Sequence, residues 1–159
     1  MIKEAVLSED GRYRYRLSRV WGDGPRVTFI LLNPSTADEQ FDDPTLRRCI
    51  NFARDWGYGA LSIVNLYALR ATDPSELWKA DDPVGPENGR YLAEAGKTGD
   101  PLIAAWGTHA KNQRVQEVVT IAGFENLACL RVTKSGTPSH PLYLPKNLAP
   151  VPWRQQLKR

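Results

Sequence analysis

Arg26-Val27-Thr28-Phe29-Ile30-Leu31-Leu32-Asn33-Pro34-Ser35-Thr36-Ala37-Asp38 is the stretch whose reading decides the fold. Its apolar run, 26–32, predicts a strand covered on both faces, as in a parallel sheet between helices. The run stops at Asn33, whose carboxamide both donates and accepts hydrogen bonds. Pro34 then ends the strand and stiffens the turn. Polar groups at the carboxyl end of such a strand lie where open α/β sheets bind ligands.

Outward from this stretch the chain alternates strands and helices. Asp43 and Pro44 read as N-cap and first helical residue. Leu46, Cys49, Ile50 and Ala53 keep helical spacing, and Gly57 supplies the stop. A second strand runs from Ala60 to Val64 and meets Asn65. Asp73-Pro74 opens a short helix, and Pro86 a further one. A third strand, Pro101 to Trp106, stops at Gly107. Thr108 is the expected cap of a helix that carries Val115, Val118, Val119 and Ala122. A fourth strand, Leu127 to Val132, runs into a loop that reaches His140-Pro141. Before all of these, residues 2–19 read as a β-hairpin with an Asp10-Gly11 turn. Its return strand alternates Tyr13, Tyr15 and Leu17 on one face with Arg12, Arg14 and Arg16 on the other. The expected architecture is three-layer α/β/α, with a four-stranded central parallel sheet joined by right-handed crossovers. The hairpin either extends that sheet or packs beside it. One domain is expected: hairpin and loop over 1–25, core over 26–145, and a proline-rich tail over 146–159.

Composition narrows the function. Of the 159 residues, 42% are hydrophobic and 25% charged, as in ordinary globular proteins. No apolar stretch approaches a membrane span, and no apolar signal segment follows Met1-Ile2-Lys3-Glu4. A cytoplasmic protein of bacterial type, without a membrane partner, is expected. The net charge of +3 permits nucleic-acid binding without demanding it. Cys49 and Cys129 read as reduced core residues. Neither has a metal-ligand spacing to His109 or His140, so no zinc site, iron–sulfur site or other cofactor is expected. The glycine patterns of dinucleotide and P-loop sites and the serine-hydrolase elbow are all missing.

The strand ends converge on one crevice. They bring Asn33, Ser35, Thr36 and Asp38 from the first strand, and Asn65, Tyr67 and Arg70 from the second. Trp106, Gly107 and Thr108 come from the third, and Lys134, Ser135 and His140 from the fourth. Bland readings stand beside each. Asn33 fits a turn as well as a site. Asn65 fits a loop contact equally well. Asp43 reads as a cap, and Arg47, Asn51 and Arg54 as a solvated helix face. Any phosphate contact is expected from Lys134, Ser135 and the Gly136 backbone, or from Arg70. The loop carrying Asp38, Glu39, Asp42 and Asp43 is acidic and repels a phosphate placed directly above it.

The motifs Leu32-Asn33-Pro34-Ser35-Thr36-Ala37-Asp38, Asn65-Leu66-Tyr67 and His140-Pro141-Leu142-Tyr143-Leu144 resemble a bacterial and phage family, domain of unknown function 1643. More distantly, their order is similar to that of the uracil-DNA glycosylase superfamily, especially its mismatch-specific branch. That branch has Gly-x-Asn-Pro-Gly after the first core strand and a late His-Pro or Asn-Pro motif. The resemblance implies that Asn33 orients a water at the sugar C1′ carbon and that Asn65 reads the base edge. It implies that His140 stabilises the leaving base or its phosphate surroundings, and that Leu142 or Tyr143 fills the stack behind a flipped base. Leu31 and Ser35 stand where that branch has glycines.

Two functions follow as expectations. The first is a nucleobase- or nucleic-acid-acting enzyme, a glycosylase-like N-glycosidic hydrolase. Its catalytic residues are Asn33, His140 and, as general base, Asp38. The second is a non-catalytic module that binds a modified base, nucleotide or single-stranded nucleic acid, with Trp106 or Tyr67 stacking on a base.

Overall fold

The computed structural model describes residues 1–153. In chain order these form strands β1 (Ile2–Leu7), β2 (Arg14–Val20) and β3 (Arg26–Leu31), helix α1 (Pro44–Asp55) and strand β4 (Ala60–Asn65). Helices α2 (Ser75–Lys79) and α3 (Asn88–Lys97), strand β5 (Leu102–Ala104) and helix α4 (Asn112–Val119) follow. Strand β6 (Ala128–Cys129), a 3-10 turn (Pro141–Tyr143) and strand β7 (Val151–Pro152) complete the described chain.

The sheet is mixed and has seven strands, in the order β1-β2-β4-β3-β5-β6-β7, in place of the expected four-stranded parallel sheet. The parallel pairs are β4 with β3, β3 with β5 and β5 with β6. The hairpin extends this sheet, because β2 pairs antiparallel with β4. At the other edge β7, from the proline-rich tail, pairs antiparallel with β6. The end of the expected tail, residues 154–159, lies outside the described residues.

The pleat of β3 explains its unbroken apolar run. Val27, Phe29 and Leu31 face one core with α1, while Ile30 and Leu32 face the other with α3 and α4. Helix α1 begins as its sequence dictates. The Asp43 side chain accepts from Leu46 N at 2.8 Å, and Pro44 holds the first turn. Leu46, Cys49, Ile50 and Ala53 are all buried on the inner face. Side chains buried as completely as Phe29 contribute about 1.5–3 kcal/mol each. Cys49 and Cys129 are buried free thiols. Burial pushes the Cys49 thiol up, which leaves it unreactive.

The hairpin departs from strict alternation. Its register against β1 shifts between Val6 and Leu7, because Val6 pairs with Arg16 and Leu7 with Arg14. Tyr15 is the extra residue of this bulge, so Tyr15 and Arg16 share a face. Tyr15 stacks on Tyr91 of α3 with centroids 5.2 Å apart, and Arg16 pairs with Glu94 at 3.2 Å. Arg14 is thrown to the opposite face with Leu17 and is only 3% exposed. The bulge thus turns a residue expected on the wet face into a buried one.

Two buried arginines from β2 fasten the loop after β3. Arg14 Nη1 donates to Ala37 O at 2.7 Å. Arg19 has no exposed surface. Its Nε donates to Asp42 Oδ1 at 3.0 Å, and its Nη2 donates to the Asp38 and Phe41 carbonyls. The loop 34–43 is therefore an ordered wall.

Two other elements differ from expectation. Thr108 does not cap α4, which starts at Asn112 after an exposed turn. The fourth parallel strand shortens to Ala128–Cys129 because the chain doubles back: Thr133 N donates to Thr137 O and Ser139 N to Arg131 O.

Candidate functional site

A crevice of about 360 Å³ opens at the carboxyl end of β3. That volume lies in the small-molecule range of roughly 300–1,000 Å³. Leu31 and Ile63 line its inner part, and the first turn of α1 forms one wall through Asp43, Thr45 and Leu46. The segment from Ala71 to Pro74 and the turn Trp106–His109 contribute to the rest of the lining, with His140 and Tyr143.

Asn33 lines this crevice, and the structure places both its anchor and its free atom. Its Nδ2 donates to Pro34 O at 2.9 Å and to Ala71 O at 2.8 Å, which ties the loop after β3 to the loop after β4. Two carbonyl partners fix which amide atom is nitrogen. Oδ1 has no partner among the described residues, and it is not one of the atoms sealed from solvent. Asn33 thus does what a turn residue does and still presents an acceptor.

His140 caps the 3-10 turn: its Nδ1 accepts from Leu142 N at 3.2 Å. Nε2 is left to carry the proton of the neutral ring, which makes it a donor. Gly107 allows this loop to close over Trp106. Its φ is +76°, it donates to Pro138 O at 3.0 Å, and a Cβ there would stand 3.3 Å from the His140 Cβ.

Burial holds the His140 ring below its ordinary 6.5; Asp43 pulls the other way, and His109 adds a smaller push downward. The neutral ring is therefore favoured by folding. The unfolded chain binds the extra proton first, so this contribution is complete above 6.5 and is lost as pH falls through the folded value. Thermal midpoints measured downward from pH 7.5 are expected to fall below pH 6.5. A smaller drop in His140→Gln over the same window checks the assignment, and parallel curves would refute it.

Of the residues expected to form the site, the crevice brings together Asn33, Ser35, Trp106, Gly107, Thr108, His140 and Tyr143. Trp106 offers no stacking face. It is 1% exposed and meets Trp153 edge-on at 5.3 Å. Tyr67, 3% exposed, is likewise core: its hydroxyl accepts from Lys111 N. The exposed aromatic at the mouth is Tyr143, at 90%. Asn65 is fully buried on the sheet face shared by Ile63, and neither atom of its carboxamide has a partner among the described residues. Thr36, Leu142 and Lys134 are not part of the lining. Arg70 points its guanidinium to the Ser35 and Gly11 carbonyls, outside the lining.

Asp38 is also outside. Its Oδ1 accepts from Gln40 N at 2.8 Å and Phe41 N at 2.9 Å, and these bonds lower its pKa. The carboxylate that the crevice presents is Asp43, expected only as a helix cap. Arg14, expected on the wet face of the hairpin, also lines the crevice. Alternation placed it outside, and nothing in Tyr13-Arg14-Tyr15 announces a bulge.

Among the described residues no group of three or more His, Cys, Asp or Glu is placed to hold a metal. None of the described helices is long and apolar enough to cross a membrane. The family described as "Protein of unknown function (DUF1643)" matches residues 14–142. No curated protein and no solved structure matches the chain.

Proposed function

The chain belongs to the DUF1643 family, and from the crevice built by its matched residues we propose that it acts on a nucleobase as a glycosylase-like N-glycosidic hydrolase. The observation that carries this reading is the Asn33 carboxamide, clamped through Nδ2 with Oδ1 left accessible in the crevice. A fixed acceptor of this kind orients a water without reorganising during the reaction. Asp43 replaces Asp38 as general base in this reading, through the oxygen not used on Leu46 N. His140 donates from Nε2 to the departing base. Water adds to C1′, the N-glycosidic bond breaks, and the base leaves with its bonding electrons and takes up a proton. The similarity of these motifs to the uracil-DNA glycosylase superfamily supports the roles given to Asn33 and His140, and the position of Asn33 just after parallel strand β3 supports the first.

A second reading, a non-catalytic binder of a modified base, nucleotide or single strand, is favoured by one observation. Asp38 and Asp43 each already use an oxygen on backbone amides. Tyr143 is then the stacking residue.

A panel of duplex and single-stranded oligonucleotides with damaged and modified bases separates the two readings when scored for both base release and binding. Release of free base from at least one substrate is expected. Saturable, salt-sensitive binding without release selects the second reading. If nothing binds at low salt, both fall.

A further inference from the structure

We propose that Arg14, together with the N-terminal turn of α1, forms an anion subsite in the crevice that takes a phosphate group on the ligand; the proposal rests on the nucleobase reading for the rest of that ligand. Arg14 lines the crevice yet is 3% exposed. Only its Nη1 is used, on Ala37 O. Nε is buried without a partner among the described residues. Nη2 has no partner among the described residues and is not one of the sealed atoms. A guanidinium offers donors in a planar fork that matches phosphate oxygens; Nη2 is the position open to the ligand, and the unused Nε lies on the same edge behind it.

The surrounding carboxylates leave that grip open. Asp42 is held by Arg19 at 3.0 Å and Lys3 at 3.8 Å. Asp38 is held by its own turn. Asp43 lines the same crevice but makes no ion pair with Arg14 within 4.0 Å. Burial lowers the guanidinium to about 10, which still leaves it charged at neutral pH. An unpaired buried charge is costly, and a bound anion relieves that cost. The helix end adds to this. α1 has twelve residues; its Asp43 cap uses Leu46 N and Pro44 has no N–H, so Thr45, which lines the crevice, carries the first-turn amide left without a partner among the described residues.

The subsite also resolves a conflict in the sequence. The phosphate contacts expected from Lys134, Ser135 and Arg70 fall outside the crevice, whereas Arg14 falls inside it. In the acidic loop expected to repel a phosphate, Asp42 is paired with Arg19 and Lys3, and Asp38 is held by the amides of its own turn.

Calorimetric titration at low ionic strength tests the proposal with nucleosides, their 5′-monophosphates and inorganic phosphate. Monophosphates are expected to bind about tenfold tighter than the parent nucleosides or better, the size of a charge-assisted hydrogen bond. Arg14→Met is expected to erase that margin, so that the folded variant binds nucleoside and monophosphate equally whatever its loss of overall affinity, while Arg14→Lys keeps part of it. If Arg14→Met does not fold, the unmodified protein decides: inorganic phosphate must compete with the monophosphate and raise the thermal midpoint. Equal affinity for nucleoside and monophosphate, or a margin that survives in folded Arg14→Met, overturns the subsite and leaves the nucleobase reading standing. Binding of phosphate and monophosphates, with no nucleoside or oligonucleotide base bound, keeps the subsite and removes that reading.

Discussion

Arg19→Met is expected to destabilise the protein by about 3–5 kcal/mol, the range seen when one member of a buried pair is removed. For a chain of this size that corresponds to a fall of roughly 10 °C in the thermal midpoint. Arg19 sits beneath the loop with no exposed surface. It holds Asp42 at 3.0 Å and reaches the Glu4, Ser18, Asp38 and Phe41 carbonyls. Methionine fills much of the volume but satisfies none of these acceptors. Asp42 would be left with Lys3 alone, at 3.8 Å and partly in solvent. Arg19→Met combined with Asp42→Asn is expected to lose less than the sum of the single variants, because the second change removes the stranded charge. Urea unfolding of the four species measures this coupling. A loss below about 1 kcal/mol for Arg19→Met would mean that the loop is held by other contacts.

The consequence reaches beyond stability. Arg14 and Arg19 come from one strand and fasten one loop, and that loop carries Asn33 at its start and Asp43 at its end. Loosening it separates the acceptor from the carboxylate. A folded Arg19 variant should therefore lose ligand affinity along with its loop anchor.

The parts of this arrangement that local chemistry dictates were legible in the sequence. An apolar run buried on both faces can only be an inner strand, and Asp43-Pro44 before helical spacing can hardly be anything but a helix start. Asn33, Ser35, Trp106, His140 and Tyr143 reached one crevice because parallel strands end on one edge. What stayed hidden depends on register and on local reversals. A single extra residue at Tyr15 flips Arg14 into the interior, and period-two reading carries no signal for it. The late loop shortens β6 by pairing with itself, as the bridge between Val132 and Pro138 shows. Asp38 was misplaced for a related reason: its turn consumes its oxygen locally, an outcome open to any Asp followed by free backbone amides.

Asn33→Ala is expected to lower base release by about 10²-fold or more, within the range for losing a positioned catalytic group. The same change should cost only about 1–2 kcal/mol of stability, the worth of its anchoring hydrogen bonds to Pro34 O and Ala71 O. These two losses can be told apart. An Asn33 that merely ties two loops together would raise KM and lower the midpoint together, and the activity would return in any variant that restores the anchor. An Asn33 that holds water through Oδ1 would lower kcat with KM little changed. Asn33→Asp sharpens the contrast. It keeps the outward acceptor but turns a second oxygen toward two carbonyls that now receive a hydrogen bond, so above the pKa of the new carboxyl group it should destabilise more than alanine does. Protonation supplies the missing donor, so the Asn33→Asp protein should regain stability as pH falls, opposite to the His140 trend. If Asn33→Ala releases base at the unmodified rate, the fixed acceptor has no part in the chemistry, and the enzyme reading loses the observation that carries it.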